Sequence, residues 1–281
     1  MLQCGRYRFD LKRPLVMGIV NVTPDSFSDG GRYADAGRAI EHGLRLREEG
    51  ADILDIGGES TRPGATPVDA GMELQRVLPV IAGLAACGAA LSVDTMKTEV
   101  MAAALAAGAD MINDVNALRA PGALQAVADS ACGVCLMHMQ GTPQTMQLAP
   151  AYSDVAQEVA DYLRARFEAA RHAGIARERL VLDPGFGFGK TPAHNIALFR
   201  ELHRFTREAP TLVGVSRKSL FGEIAGRTPE QRMIASVTAA LLAAMRGAAI
   251  VRVHDVASTV DALKVWQALG SGNRDLDPAR S

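Results

Sequence analysis

Val16-Met17-Gly18-Ile19-Val20 is an apolar run that stops on Asn21, a side chain for which a hydrophobic core has no use. The figure recurs seven more times along the chain. Ile53-Leu54-Asp55-Ile56 runs into Gly57-Gly58-Glu59, Leu91-Ser92-Val93 stops at Asp94, and Met111-Ile112 stops at Asn113-Asp114. Val134-Cys135-Leu136-Met137 reaches His138, and Leu180-Val181-Leu182 reaches Asp183. Leu212-Val213-Gly214-Val215 leads to Ser216-Arg217-Lys218, and Ile250-Val251-Arg252-Val253 leads to His254-Asp255. Helix-patterned stretches lie between. Strand and helix alternating in this way predict an α/β fold, a closed (β/α)8 TIM barrel. All strands of that fold deliver their C-terminal ends to one mouth. Polar residues far apart in sequence then share a single pocket, which points to an enzyme.

A length of 281 residues suits one such barrel, read as a single domain over 1–281. Residues 1–14 are read as an N-terminal extension in which Tyr7-Arg8-Phe9 is expected to make a ribbon closing the barrel bottom, and 270–281 are expected to form a flexible tail. A formal charge of −1 leaves no broad basic surface, so neither nucleic acid nor an anionic membrane is an expected partner. No apolar run is long enough to span a bilayer and no signal-peptide core opens the chain, so a soluble cytoplasmic protein is expected. Cys4, Cys87, Cys132 and Cys135 do not resemble a disulfide framework at this size. The Cys132–Cys135 spacing lacks a second ligand pair, so buried free thiols are the reading.

Helix signals follow the strands. Ala36 to Glu49 places Ile40 and Leu44 on one face before Gly50, and Glu99 to Ala107 ends at Gly108. Asp154 to His172 carries Val155, Val159, Tyr162 and Phe167 at helical spacing. Thr228-Pro229-Glu230-Gln231 reads as an N-cap, a proline at N1 and a capping box. Ser258 to Leu269 is the last helix. Two long loops, Asn21–Gly31 after the first strand and Gly57–Ala65 after the second, are rich in glycine, proline and hydroxyls. Each carries a side chain awkward to expose, Phe27 in one and Arg62 in the other. Such loops at a barrel mouth suit substrate coverage.

The strand ends hold the chemistry. Asp94 and Asp183 close apolar runs, where an unpaired carboxylate is costly, so each must meet a cation or a ligand's donors. With Asn113 they suit a flat heterocycle presenting parallel N–H groups. A structural hydrogen-bond network across the barrel top is the alternative. Lys218 sits before a helix beginning at Leu220 and can hold a carbonyl, stack on a ring or form a Schiff base. Arg217 reads as a solvated or bridging charge, and Ser219 lies where a helix N-terminus favours an anion. Arg252 and His254 share one side of the last strand and form an anion clamp; pairing of Arg252 to Asp255 or a nearby carboxylate is the alternative. His138, beside Met137 and Met139, reads as a satisfied core or rim residue. With neither HxH nor HExxH present, hard oxygen groups favour Mg2+ shared with substrate phosphates. Asp183-Pro184-Gly185-Phe186-Gly187-Phe188-Gly189-Lys190 brings close backbone approach, with Phe188 either walling an aromatic pocket or filling a gap. It is not a dinucleotide fingerprint.

Taken together, these motifs resemble the bacterial dihydropteroate synthases. The resemblance runs in order through Asn21–Gly31, Gly58–Pro63, Ser92–Thr95, Ile112–Asp114, Met137–Pro143, Asp183–Lys190, Ser216–Lys218 and Arg252–Asp255. It implies condensation of 6-hydroxymethyl-dihydropterin diphosphate with 4-aminobenzoate, giving dihydropteroate and diphosphate for folate synthesis. It assigns Asp94, Asn113, Asp183 and Lys218 to the pterin, and Asn21, Thr61, Arg252 and His254 to the diphosphate and Mg2+, with Asn21 the metal contact. Phe27, Arg62, Pro63, Phe188, Lys218 and Ser219 fall to the 4-aminobenzoate side, where sulfonamides compete. Catalysis would rest on Lys218, Arg252, His254 and Asp94, in a protein that is homodimeric in this family. A path in which the C–O bond breaks before the neutral arylamine attacks is expected, with leaving-group stabilisation dominant. A pterin-binding methyltransferase, a Schiff-base aldolase centred on Lys218 and a catalytically silent pterin binder are the competing readings.

Overall fold

The structure is a computed structural model that describes residues 1–22, 31–61 and 64–270, the side chains of 31–34 excepted. Phe27, Arg62, Pro63 and the stretch 271–281 lie outside the described residues. The chain opens with a hairpin, β1 (Leu2–Cys4) and β2 (Tyr7–Phe9), followed by β3 (Leu15–Asn21), α1 (Gly31–Glu48), β4 (Ile53–Gly57) and α2 (Ala70–Leu84). Next come β5 (Ala90–Asp94), α3 (Thr98–Ala106), β6 (Met111–Asp114), α4 (Ala123–Ala128), β7 (Gly133–Met137) and α5 (Val155–His172). The last part contains β8 (Leu180–Asp183), α6 (Pro192–Arg200), α7 (His203–Thr206), β9 (Leu212–Val213), α8 (Leu220–Ala225), α9 (Met233–Met245), β10 (Ile250–Val253) and α10 (Val256–Gly270).

Eight parallel strands run in the order β8-β7-β6-β5-β4-β3-β10-β9. A parallel bridge between Leu182 and Thr211 joins β8 to the approach of β9, and Leu182 N–H donates to the Pro210 carbonyl at 3.0 Å. The expected TIM barrel is therefore present. Register sets the polar strand ends at a common height: Asn21 faces Gly57, Gly57 faces Asp94, and Asp94 faces Asn113. Alternation along each strand does the rest. Outward residues such as Val16, Leu54, Val93 and Val251 pack under the helices. Inward residues near the strand starts (Met17, Ile53, Met111, Val181 and Ile250) fill the lower barrel. The β1–β2 hairpin covers that plug, with Leu2 and Cys4 fully buried and Tyr7 and Phe9 packed against it. The bottom is thus apolar and sealed, and the top is left to chemistry.

Several helix expectations are corrected. In α1 the buried positions are Ala36, Ala39, Gly43 and Leu46, whereas Leu44 is 42% exposed; the inward stripe lies beside the face read from Ile40 and Leu44. Thr228 makes no side-chain cap; Pro229–Gln231 is a 3-10 turn and α9 starts only at Met233. A capping box is found instead at α6, where Thr191 accepts from His194 N–H and the His194 ring accepts from Thr191 N–H. Histidine in the third helical position hides that box from a search for Glu or Gln. The last helix extends to Gly270, one residue into the segment read as tail. The four cysteines are free; Cys4, Cys132 and Cys135 are buried as expected, whereas Cys87 is half-buried. No described helix is long and apolar enough to cross a membrane.

Candidate active site

A cavity of about 920 Å3 opens at the C-terminal ends of the strands. Its wall includes Asn21, Thr61, Asp94, Phe188, Lys218, Ser219, Arg252 and His254. Eight of the residues singled out from sequence thus meet around one space. Asn113 and Asp183 are buried, at 4% and 6% exposure.

Asp55 is the hub. Arg252 Nε donates to its Oδ2 at 2.6 Å, and Asn113 Nδ2 donates to the same oxygen at 3.0 Å. Arg252 Nη2 also reaches Asp94 Oδ2 at 2.9 Å. One guanidinium fork therefore joins two carboxylates from neighbouring strands, a geometry that lysine's point charge does not provide. Burial pushes Asp94 up to about 7 despite the lowering effect of Arg252, with nearby Asp55 adding to the rise. Asp55 Oδ1 and Ser92 Oγ are buried and meet no hydrogen-bond partner among the described residues. Sequence reading passed over Asp55 as part of an apolar run. Its signal was parity: two residues before Gly57, it shares the inward side on which Asp94 and Asn113 lie in register.

Asp183 closes a turn instead of an ion pair, accepting from Gly185 N–H at 2.7 Å. Burial raises it to about 6, opposed by that N–H and by Lys218 and Lys190. Gly185 has φ +69°, and a Cβ there would stand 1.9 Å from the His138 carbonyl oxygen, so only glycine fits. Beyond it, Phe188 turns its ring toward Lys218, whose Nζ lies 4.3 Å from the ring centroid. Lys190, also passed over, is 2% exposed and donates to the Gly185 and Phe188 carbonyls at 2.9 and 3.0 Å. Its Nζ lies 2.9 Å from His138 Nδ1. No sequence signal marks a buried lysine, because lysine is ordinarily a surface residue. Burial first, then Lys190, hold His138 down to about 3, and its ring meets Tyr162 edge-on at 4.9 Å; His138 is a satisfied core residue.

Just beyond the last strand, His254 Nδ1 lies 3.0 Å from Ser216 Oγ, which also accepts His254 N–H at 3.2 Å. Arg217, at φ +56°, binds Asp255 through Nη2 at 2.6 Å. The bridging charge on Asp255 is therefore Arg217, and for Arg252 the alternative of a nearby carboxylate is the one observed, through Asp55 and Asp94.

Comparison with known proteins places this geometry. The pterin-binding enzyme family matches residues 17–254. A dihydropteroate synthase of Neisseria meningitidis serogroup B is 55% identical over 95% of this chain and 97% of its own length. The Xanthomonas albilineans dihydropteroate synthase solved with 4-aminobenzoic acid has a TM-score of 0.88 at 59% identity, covering 94% of this chain and 95% of that one. The Burkholderia cenocepacia dihydropteroate synthase complexed with 7,8-dihydropteroate has a TM-score of 0.88 at 52% identity, covering 96% of both chains. With a match across every strand that supplies the cavity, the chain belongs to the pterin-binding enzymes, in the family of bacterial dihydropteroate synthases.

Proposed function

We propose that the cavity rim carries out dihydropteroate synthesis through the residues that line it. The protein is a transferase. It condenses (7,8-dihydropterin-6-yl)methyl diphosphate with 4-aminobenzoate, releasing diphosphate and 7,8-dihydropteroate. The observation that carries the residue assignment is the Arg252 fork, which joins Asp55 and Asp94 beneath one wall of the cavity. Asp94, Asn113, Asp183 and Lys218 hold the pterin, whose N–H edge suits buried carboxylates. Phe188, Lys218 and Ser219 face the 4-aminobenzoate, with Phe27, Arg62 and Pro63 assigned there by family resemblance.

Asn21, Thr61, Arg252 and His254 face the diphosphate. No cluster of three His, Cys, Asp or Glu able to hold a metal occurs among the described residues. The Asn21 amide oxygen at the cavity wall fits Mg2+ that is held mainly by substrate phosphates and water. Bound there, Mg2+ supplies neutralisation of the charge that collects on the leaving group. Arg252 and His254 add fixed positive and polar partners on the same side. The C–O bond breaks with its electron pair going to diphosphate, the arylamine nitrogen bonds the methylene carbon, and that nitrogen sheds a proton. The arylamine is neutral near pH 7, so it needs no prior deprotonation.

The protein acts as a cytoplasmic homodimer in this reading. Free thiols suit a reducing compartment. Ile234 and Met245 on α9, and Val265 and Leu269 on α10, are exposed apolar side chains of the kind that self-association would cover. Diphosphate release measured with both substrates and Mg2+ tests the activity. Release that depends on 4-aminobenzoate and yields dihydropteroate is expected; pterin binding without release overturns it.

A further inference from the structure

Glu59 lies just beyond β4 and, with Ser60 and Thr61 after it, lines the cavity. This segment is clamped from behind by α2 and by Lys97. Gly58 lies so close to α2 that an added Cβ would stand 2.8 Å from Val77 Cγ1 and 3.0 Å from Glu73 Cγ. Its carbonyl accepts from Arg76 Nη1 at 2.7 Å. Glu59 is held at both oxygens: Oε1 accepts Val68 N–H at 3.0 Å, and Oε2 accepts from Lys97 Nζ at 2.6 Å. Lys97, just beyond β5, also reaches Glu73 Oε2 on α2 at 2.5 Å. The side chains of Lys97, Glu59 and Glu73 are 21%, 6% and 0% exposed. Desolvating three charges is costly, and such a group contributes little net stability compared with apolar packing. What it does provide is a fixed position for Glu59.

We propose that Lys97 is a positioning residue for the leaving-group side of the cavity: by locking Glu59 to α2 it sets where Thr61 meets the diphosphate. The inference rests on the assignment of Thr61 to the diphosphate. The pterin-holding carboxylates are anchored elsewhere, Asp94 on Arg252 and Asp183 on Gly185. Neither anchor uses Lys97, so its loss acts first on the leaving-group side; Glu73, whose charge also raises Asp94, is neutralised in the second variant below.

The test is Lys97→Met, with Lys97→Met/Glu73→Gln as the second variant, because it leaves no buried unpaired carboxylate on α2 if the single change fails to fold. Calorimetry compares affinity for 6-hydroxymethylpterin with affinity for its diphosphate ester. The diphosphate ester should bind on the order of tenfold or more weakly, as expected for a small misplacement of a contacting group. The diphosphate-free ligand should bind as in the parent. Glu59→Gln, which keeps one acceptor oxygen for either Val68 N–H or Lys97 Nζ, should retain more diphosphate affinity than Glu59→Ala. Equal losses for both ligands, or no loss, overturn the proposal. Thr61→Val separates the two layers. If it leaves diphosphate affinity unchanged, the assignment of Thr61 itself fails; if it weakens binding while the Lys97 variants do not, only the inference fails.

Discussion

Asp94 combines two demands that pull against each other, burial beside Asp55 and contact with Arg252. Burial prevails, so the group titrates at about 7 in the folded protein, against 3.8 as its ordinary value. A raised carboxylate makes the native state bind more protons than the unfolded one between those two values, and stability falls as pH climbs through that window. Asp94→Asn removes the ionisation. The melting temperature of Asp94→Asn, relative to the parent protein, is therefore expected to rise between pH 5 and pH 8. Melting curves of both proteins at the two pH values check this, and a difference that does not change with pH refutes it. Strand-terminal polar residues such as Asp94 and Asn113 were legible in the sequence because each breaks an apolar run. Asp55 was not, because it lies inside such a run and only knowledge of which strand face turns inward exposes it. Lys190 was illegible for another reason: its ammonium is satisfied by backbone carbonyls, which carry no side-chain signature.

At the level of elements, strands were easier to read than helix starts. A buried parallel strand is marked by its whole apolar run, whereas a helix start depends on one or two hydrogen bonds. Thr228-Pro229 has the composition of a cap without the bond, and Thr191 has the bond with an unexpected partner. Thr191 Oγ1 accepts from His194 N–H at 3.2 Å, and His194 Nδ1 accepts from Thr191 N–H at 3.3 Å. Thr191→Ala should cost about 1 kcal/mol, the usual worth of a cap. Thr228→Ala should stay within about 0.5 kcal/mol, as for surface substitutions that remove no such feature. Urea titrations of the two variants provide the comparison, and equal costs would contradict the assignment of the cap to α6. Leu44 shows the matching limit of periodicity. A stripe of apolar residues fixes a helix face only to within one residue step, and here the step left leucine in solvent.

Across the whole molecule, the barrel was legible because its order is local, each strand lying beside its neighbour in sequence, with β3 beside β10 to bring the first and last together. What the sequence does not disclose is how unevenly the ring is fastened. Most neighbouring strands share several paired residues, while β8 meets the approach to β9 through the bridge at Leu182 and Thr211. Like a cask whose staves are tight except along one joint, the wall is easiest to part there. Asp183 stands on one stave of that joint and Lys218 follows the other. A pterin gripped by both would act as a rivet across the gap. Amide hydrogen exchange at Leu182, whose N–H donates across the joint to the Pro210 carbonyl, should slow more on pterin binding than exchange in the β4–β5 wall. Uniform slowing around the ring would mean that the ligand fastens nothing the fold had left loose.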